Sequence, residues 1–256
     1  MRDESRLIYI PAGPFTMGGV ETDSLKEDDE VPSHEHYLGG FFIGAYAVTN
    51  QQMAQFVGET RYTGSIDSEG FRSRFGFHTQ RPEWIFPEGH DKYPAVEVNH
   101  DEAMAYCEWA GLRLPTESEW EKAARGLDAR IFPWGNEWEP SLCCNSVTSR
   151  RIGPLPVDTL PEGRSHYGCF NIVGNVWEWC TDWYNPYAYE GYSMGDLRSP
   201  DFGFYRILRG GSWCWSDAQE PRFFRCSYRN YADPRFPSYA SNARSYGFRV
   251  ALGCFA

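Results

Sequence analysis

The stretch Asn171-Ile-Val-Gly-Asn-Val-Trp-Glu-Trp179, with its downstream echo Leu208-Arg-Gly-Gly-Ser-Trp213, decides how this chain is read. Both segments are dense in Gly and Trp. Gly permits tight turns and close backbone approach. Trp supplies large buried area and one N–H that needs a partner. Glu178 lies between two tryptophans, and a carboxylate there is costly to bury unless it is paired or metal-bound. Two readings follow. One is an irregular core held by an ion. The other is a strand and turn whose acid bonds backbone N–H groups.

The rest of the chain sets bounds. Its 256 residues suffice for one large domain or two small ones without covalent staples. The net charge of −11 argues against a nucleic-acid partner. Of 24 basic residues only Lys26, Lys92 and Lys122 are lysines, and an arginine-rich chain suits planar, bidentate pairing. Aromatics reach 17%, more than a core needs, so part is expected at a contact surface. The start Met1-Arg-Asp-Glu-Ser-Arg6 is not followed by an apolar signal region, and no apolar run is long enough for a membrane span. The default location is therefore cytoplasmic, with surface display open to a chain whose export signal has been removed. The eight cysteines form no C-x-x-C pair, which removes zinc-ribbon and thioredoxin readings and leaves buried thiols.

In order, Leu7–Gly18 reads as two short strands around a Pro/Gly turn. Residues 21–36 read as an acidic loop. His34 and His36 could share one strand face, but two histidines alone read as solvated residues rather than ligands. Phe41–Val48 is a buried strand, and Thr49 or Asn50 caps a helix to about Val57. Residues 59–98 lack periodicity and are expected to hold short elements or a function. Asn99 or Asp101 caps a helix over Glu102–Ala110, ended by Gly111. Thr116-Glu-Ser-Glu119 is a capping box opening a helix through Arg125, ended by Gly126. Beyond it the chain is short, Gly- and aromatic-rich pieces. Helices early and irregular strands late give an α+β fold in a single domain, 1–256, without internal repeats.

Several blocks fall in one order: Ile10-Pro-Ala-Gly-Pro-Phe-Thr-Met-Gly18, Val48-Thr-Asn50, Ala105–Gly111, Arg113-Leu-Pro-Thr-Glu-Ser-Glu-Trp-Glu121, Phe132-Pro-Trp-Gly-Asn136, Asn171–Trp179, Leu208–Trp213 and Gly247-Phe-Arg249. Together they resemble the formylglycine-generating enzyme (sulfatase-modifying factor) family over nearly the whole chain. The resemblance implies a C-type-lectin-like fold with little regular secondary structure. It also implies a structural Ca²⁺ held by the Asn171 side chain, the carbonyls of Gly174 and Val176, and the Glu178 carboxylate, an oxygen-only set that suits calcium. The family's other calcium site would begin at Asn145 but lacks its acid in the following loop, 146–154.

Formylglycine generation resembles copper chemistry on two thiolates. The family's cysteine pair would fall near Trp215 and Glu220, where this chain has none; Cys214 is one place early and Cys226 comes 12 residues later. The resemblance therefore implies no catalytic residue with certainty of place, and the reading leans away from an enzyme. His78, His90, His100 and His166 lack an H-x-x-x-H spacing, and no helical iron-binding domain precedes the motifs. Other relatives are the variable proteins of diversity-generating retroelements, which display a changeable binding surface near the C-terminus. Here residues 209–256 have that character. From Phe223 the chain runs FFRCSYRNYADPRFPSYASNARSYGFR, with rigid aromatics and small polar residues between arginines, as in a paratope. The expected anchors are Trp215, Phe223, Phe224, Tyr231, Phe236, Tyr239 and Tyr246. The expected polar contacts are Ser216, Asp217, Ser238, Asn242 and Ser245. The ligand would be a protein or another macromolecule. The alternatives are a copper oxidase using Cys214 and Cys226 as a displaced pair, and an accessory domain for a partner enzyme.

Overall fold

The computed structural model describes residues 2–62, 83–150, 152–214, 221–235 and 245–254. Its strands are short and form three sheets. β1 (Leu7–Ile10), β4 (Phe41–Gly44) and β9 (Ala251–Gly253) make an antiparallel sheet in the order β1-β4-β9. β2 (Gly13–Met17) and β3 (His34–Leu38) form a ribbon. β5 (Trp177–Trp183), β6 (Arg206–Arg209), β7 (Asn230–Ala232) and β8 (Tyr246–Gly247) form a sheet in the order β7-β6-β5-β8, in which β5 and β8 run parallel. The two strands expected around the Pro/Gly turn do form, but they join different sheets.

Three helices begin at capping boxes. α1 (Asn50–Thr60) is capped by Thr49 with Gln52, α2 (His100–Ala110) by Asn99 with Glu102, and α3 (Glu117–Arg125) by Thr116 with Glu119. Each box satisfies two backbone donors that a helix start leaves free. Gly111 (φ 73°) and Gly126 (φ 79°) end α2 and α3 as the sequence predicts. α1 runs one turn further than expected, to a left-handed Arg61. A short α4 (Ala188–Ser193) packs on the β2–β3 ribbon.

The predicted loop over 21–36 is cut short, because His34 opens β3. His34 and His36 face inward and are buried, not solvated, since β3 lays that face against Tyr189 and Tyr192 of α4. β5 is buried on both faces. Trp177 and Trp179 face a core with α1, α2, Phe248 and Val250, while Cys180 faces a second core with Trp120, Ile172, Ile207 and Phe224.

The two motifs are hydrogen-bonded to each other. Gly174 N–H donates to the Gly210 carbonyl at 2.7 Å, and Trp213 N–H to the Asn175 carbonyl at 3.0 Å. Glycine is required at both turns. A Cβ on Gly174 (φ 80°) would lie 2.5 Å from the Cys144 carbonyl oxygen, and one on Gly210 (φ 101°) 2.7 Å from that of Ile172. Among the described residues no helix is long and apolar enough to cross a membrane.

His100 ties α2 to β5. Its Nε2 meets the Cys180 carbonyl at 3.2 Å, and its ring stands edge-on to Trp179. Burial, with Arg206 adding to it, pushes its pKa down to about 3. The folded state thus holds this ring neutral while the unfolded chain protonates it below about 6.5. Stability is therefore lost as pH falls from about 6.5 toward 3, at up to about 1.4 kcal/mol per pH unit from this group. Denaturant titrations at several pH values should show that His100→Gln flattens this slope between pH 6 and 4; an unchanged slope would contradict it.

Candidate ligand surface and the buried acid beneath it

Glu178 reaches a fully buried position as the second residue of β5. Arg249 Nε donates to its Oε2 at 2.6 Å and Arg249 Nη2 to its Oε1 at 2.8 Å, a bidentate pair. Trp120 Nε1 donates a third bond to Oε2 at 2.7 Å. Arg249 is also fully buried, and its Nη1 and Nη2 donate to the carbonyls of Gly44 and Phe170.

Further buried arginines repeat this pattern. Arg209 bonds Glu117 and Glu121, at 3.1 and 2.6 Å. Arg229 bonds Glu117 at 2.8 Å, and Arg225 bonds Asp23 and Glu30 at 2.7 and 2.6 Å. Burial works against ionising Glu121, but Arg125 and Arg209 outweigh it and hold the carboxyl below its ordinary value. Asp182, with Glu117 close by and no arginine bonded to it among the described contacts, is instead pushed up to about 6 by burial and that neighbouring acid. The acids Asp23, Glu30, Glu117 and Glu121 had not been singled out in the sequence. The signal available was the arginine excess over lysine, which named one side of each pair only.

This geometry bears on the expected calcium set. Both Glu178 oxygens already accept charge-assisted bonds, and the Gly174 carbonyl accepts the Val176 N–H at 2.8 Å. Asn171 is buried at φ 44°, and its Nδ2 donates to the carbonyls of Val157 and Thr159. Its Oδ1 is a buried acceptor without a hydrogen-bond partner among the described residues. As a set, Asn171, Gly174, Val176 and Glu178 do not fit a calcium ion centred on the Glu178 charge, because Arg249 already compensates that charge. At the second family position, Asn145 Oδ1 accepts from the N–H groups of Val147 and Thr148 and closes its own turn. Among the described residues no three His, Cys, Asp or Glu side chains converge as metal ligands.

The eight cysteines are all free thiols. Cys226 is fully buried in the core with Phe224 and Trp120, and burial pushes its thiol up to about 12. Cys214 is half-buried, with its Sγ 3.4 Å from Ser212 Oγ.

The expected ligand residues divide three ways. Trp215, Ser216, Asp217, Phe236, Ser238, Tyr239 and Asn242 lie outside the described residues. Phe224, Ser245 and Tyr246 are buried and belong to the frame. Phe224 stacks on Trp138 in the core, and Tyr246 is turned inward by the pairing of β8 with β5, edge-on to Trp179. Phe223 is half-buried against Tyr228 and Trp177. Tyr231 is 44% exposed and stacks on Tyr184 with centroids 3.9 Å apart, and its ring centre lies 5.2 Å from that of Tyr205.

Tyr231 and Tyr184 form one wall of a cleft of about 550 Å³, with Glu27, Asp29, Arg222 and Asn230 among the polar groups around it. Tyr184 Oη donates to Asp29 at 2.8 Å, and Arg222 pairs with Glu27 across the rim. The exposed side chains include Tyr187, Phe202 and Phe204, the last two nearly nine-tenths exposed. These residues precede the segment that the paratope-like composition marked out, and sequence reading passed over them. The dense aromatics between Trp183 and Tyr205 were the available signal.

A single-domain, irregular fold with two Gly/Trp motifs joined over a buried acid defines the class. The model of the sulfatase-modifying factor enzyme 1-like domain matches residues 1–253, and the chain belongs to that family. It is 35% identical to a formylglycine-generating enzyme of Thermomonospora curvata, over 96% of this chain and 92% of that protein. Its fold resembles PvdO of Pseudomonas aeruginosa (TM-score 0.76, 25% identity, 99% of this chain and 96% of that one). It also resembles variable protein 1 of Treponema denticola (TM-score 0.69, 22% identity, 97% and 95% coverage), a likeness of fold.

Removing the Glu178 carboxylate leaves Arg249 buried and uncompensated, a loss of roughly 3–5 kcal/mol. Glu178→Ala should therefore lose the same stability in calcium as in a chelator when unfolding is followed in both. A distinctly larger loss in calcium would restore the metal to Glu178.

Proposed function

We propose that the protein is a non-catalytic binding protein that presents an aromatic and polar surface on this C-type-lectin-like frame, in the manner of a variable protein of a diversity-generating retroelement. The observation that carries the proposal is Tyr231. It is the one expected anchor that is described and well exposed, and it is held against the rings of Tyr184 and Tyr205 beside a polar cleft. Rigid rings above adaptable polar groups give contact area at small cost in conformational entropy. Residues 215–217 and 236–242 follow the same composition and would extend the surface. The ligand would be a protein or another macromolecule. Calcium would have to be held from the Asn171 side, through Oδ1, since Glu178 is already paired.

The second reading, oxidation of a substrate cysteine, is favoured by the 35% identity to a formylglycine-generating enzyme. Against it stands Cys226. A thiol sealed in the core with a pKa near 12 is a poor thiolate ligand for copper.

Two measurements separate the readings. Incubation of a sulfatase-type cysteine peptide with the protein, cuprous ion and oxygen should give no aldehyde; an aldehyde product abolished by Cys214→Ser would overturn the proposal. Sequencing the coding segment for 209–254 across close isolates should find substitutions concentrated at 215–217 and 231–242, while the codons for Arg225, Arg229 and Arg249 stay fixed. Substitutions spread evenly along the chain would contradict a variable surface.

A further inference from the structure

Beneath α4 the structure holds a cluster that the binding proposal does not use. His34 and His36 stand on the inner face of β3, each more than nine-tenths buried, with ring centroids 5.6 Å apart. His34 Nδ1 lies 3.0 Å from the Pro32 carbonyl, an acceptor only, so this nitrogen carries the proton. His34 Nε2 is then a bare lone pair. It is buried and meets no hydrogen-bond partner among the described residues, and the same holds for His36 Nδ1.

A histidine whose one nitrogen is anchored to a backbone carbonyl while the other is left bare has the arrangement of a metal ligand. A metal bound to both rings at about 2.0 Å lies roughly 3 Å from each ring centre, so ring centres up to about 6 Å apart can share one ion. Met17 is the direct cross-strand partner of His34 and is fully buried in the cluster with Phe15, Tyr189 and Tyr192. Residues opposite one another in an antiparallel pair project to the same face, so its side chain projects beside that of His34, while Phe15 is the partner of His36.

We infer that His34, His36 and Met17 form a binding site for a cuprous ion, roofed by the tyrosines of α4. The ligand chemistry selects the ion. Two imidazoles and a thioether are neutral and include a soft donor, which suits Cu(I). A divalent ion would leave two charges buried in an aromatic enclosure with no carboxylate ligand, whereas Cu(I) leaves one. The ion would tie Met17 of β2 to β3 and close the site under α4, whose chain continues toward Phe202 and Phe204. The inference is independent of the binding proposal.

The test uses the full chain carrying Cys214→Ser and Cys254→Ser, which removes the two thiols that are not buried. The protein is titrated anaerobically with cuprous ion buffered by a chromophoric chelator, and copper X-ray absorption is recorded. One tightly held ion with two nitrogen ligands and one sulfur ligand is expected, together with a raised melting temperature. His36→Phe should weaken binding at least tenfold, and Met17→Leu should remove the sulfur ligand while keeping the nitrogens. Absence of bound copper, sulfur-only coordination, or affinity unchanged from the parent in both variants would overturn the site. The absorption spectrum of the parent protein decides the matter even where a variant fails to fold.

Discussion

Glu178 and Arg249 lie 71 residues apart in sequence, and both are wholly withdrawn from water. A carboxylate in that position is tolerable only because a guanidinium fork and the Trp120 N–H meet its oxygens together. The same guanidinium bonds carbonyls of Gly44 and Phe170, so one side chain joins β4, β5, the chain before the first Gly/Trp motif and the link between β8 and β9. The strands here hold few residues each, and long hydrogen-bonded ladders are absent from the described sheets. Buried arginine–carboxylate pairs supply fixed points that such ladders would give elsewhere. Arg209, Arg225 and Arg229 extend the pattern from the second motif to the acids of α3 and to Asp23 and Glu30 near the N-terminus. Replacing one partner leaves a buried charge, which makes each pair costly to break whatever its net contribution.

Local chemistry was legible in the sequence. The Thr116–Glu119 box and the glycines at 111 and 126 mark α2 and α3 because capping is decided within a few residues. The two motifs announced tight turns, and Gly174 and Gly210 do make the close approaches that exclude a side chain. The need of Glu178 for a partner was legible too. The identity of the partner was not, because Arg249 is distant in sequence and the family resemblance pointed to calcium instead. Composition also could not separate inward from outward aromatics. Tyr246 and Tyr231 look alike in the sequence, but strand pairing turns one into the core and leaves the other exposed. His34 and His36 read as solvated because nothing near them in sequence shows that α4, some 150 residues on, covers their face.

Family membership and function separate at this point. A fold of this kind does not by itself fix an activity, so function rests on particular side chains. In this chain Cys226 is built into the frame as a core residue. Tyr205 and Tyr231 are exposed beside it, whereas Tyr184 packs against that core, with the Arg229 guanidinium 5.2 Å from its ring centre.

The central claim is that an internal ion pair, Glu178 with Arg249, holds the frame. A double-mutant cycle tests it most directly, with Glu178→Gln, Arg249→Met and the pair together, each unfolded by denaturant without added metal. The account predicts a coupling energy of at least about 2 kcal/mol, with the double variant more stable than the sum of the single losses implies. Additive losses, with coupling near zero, would contradict it.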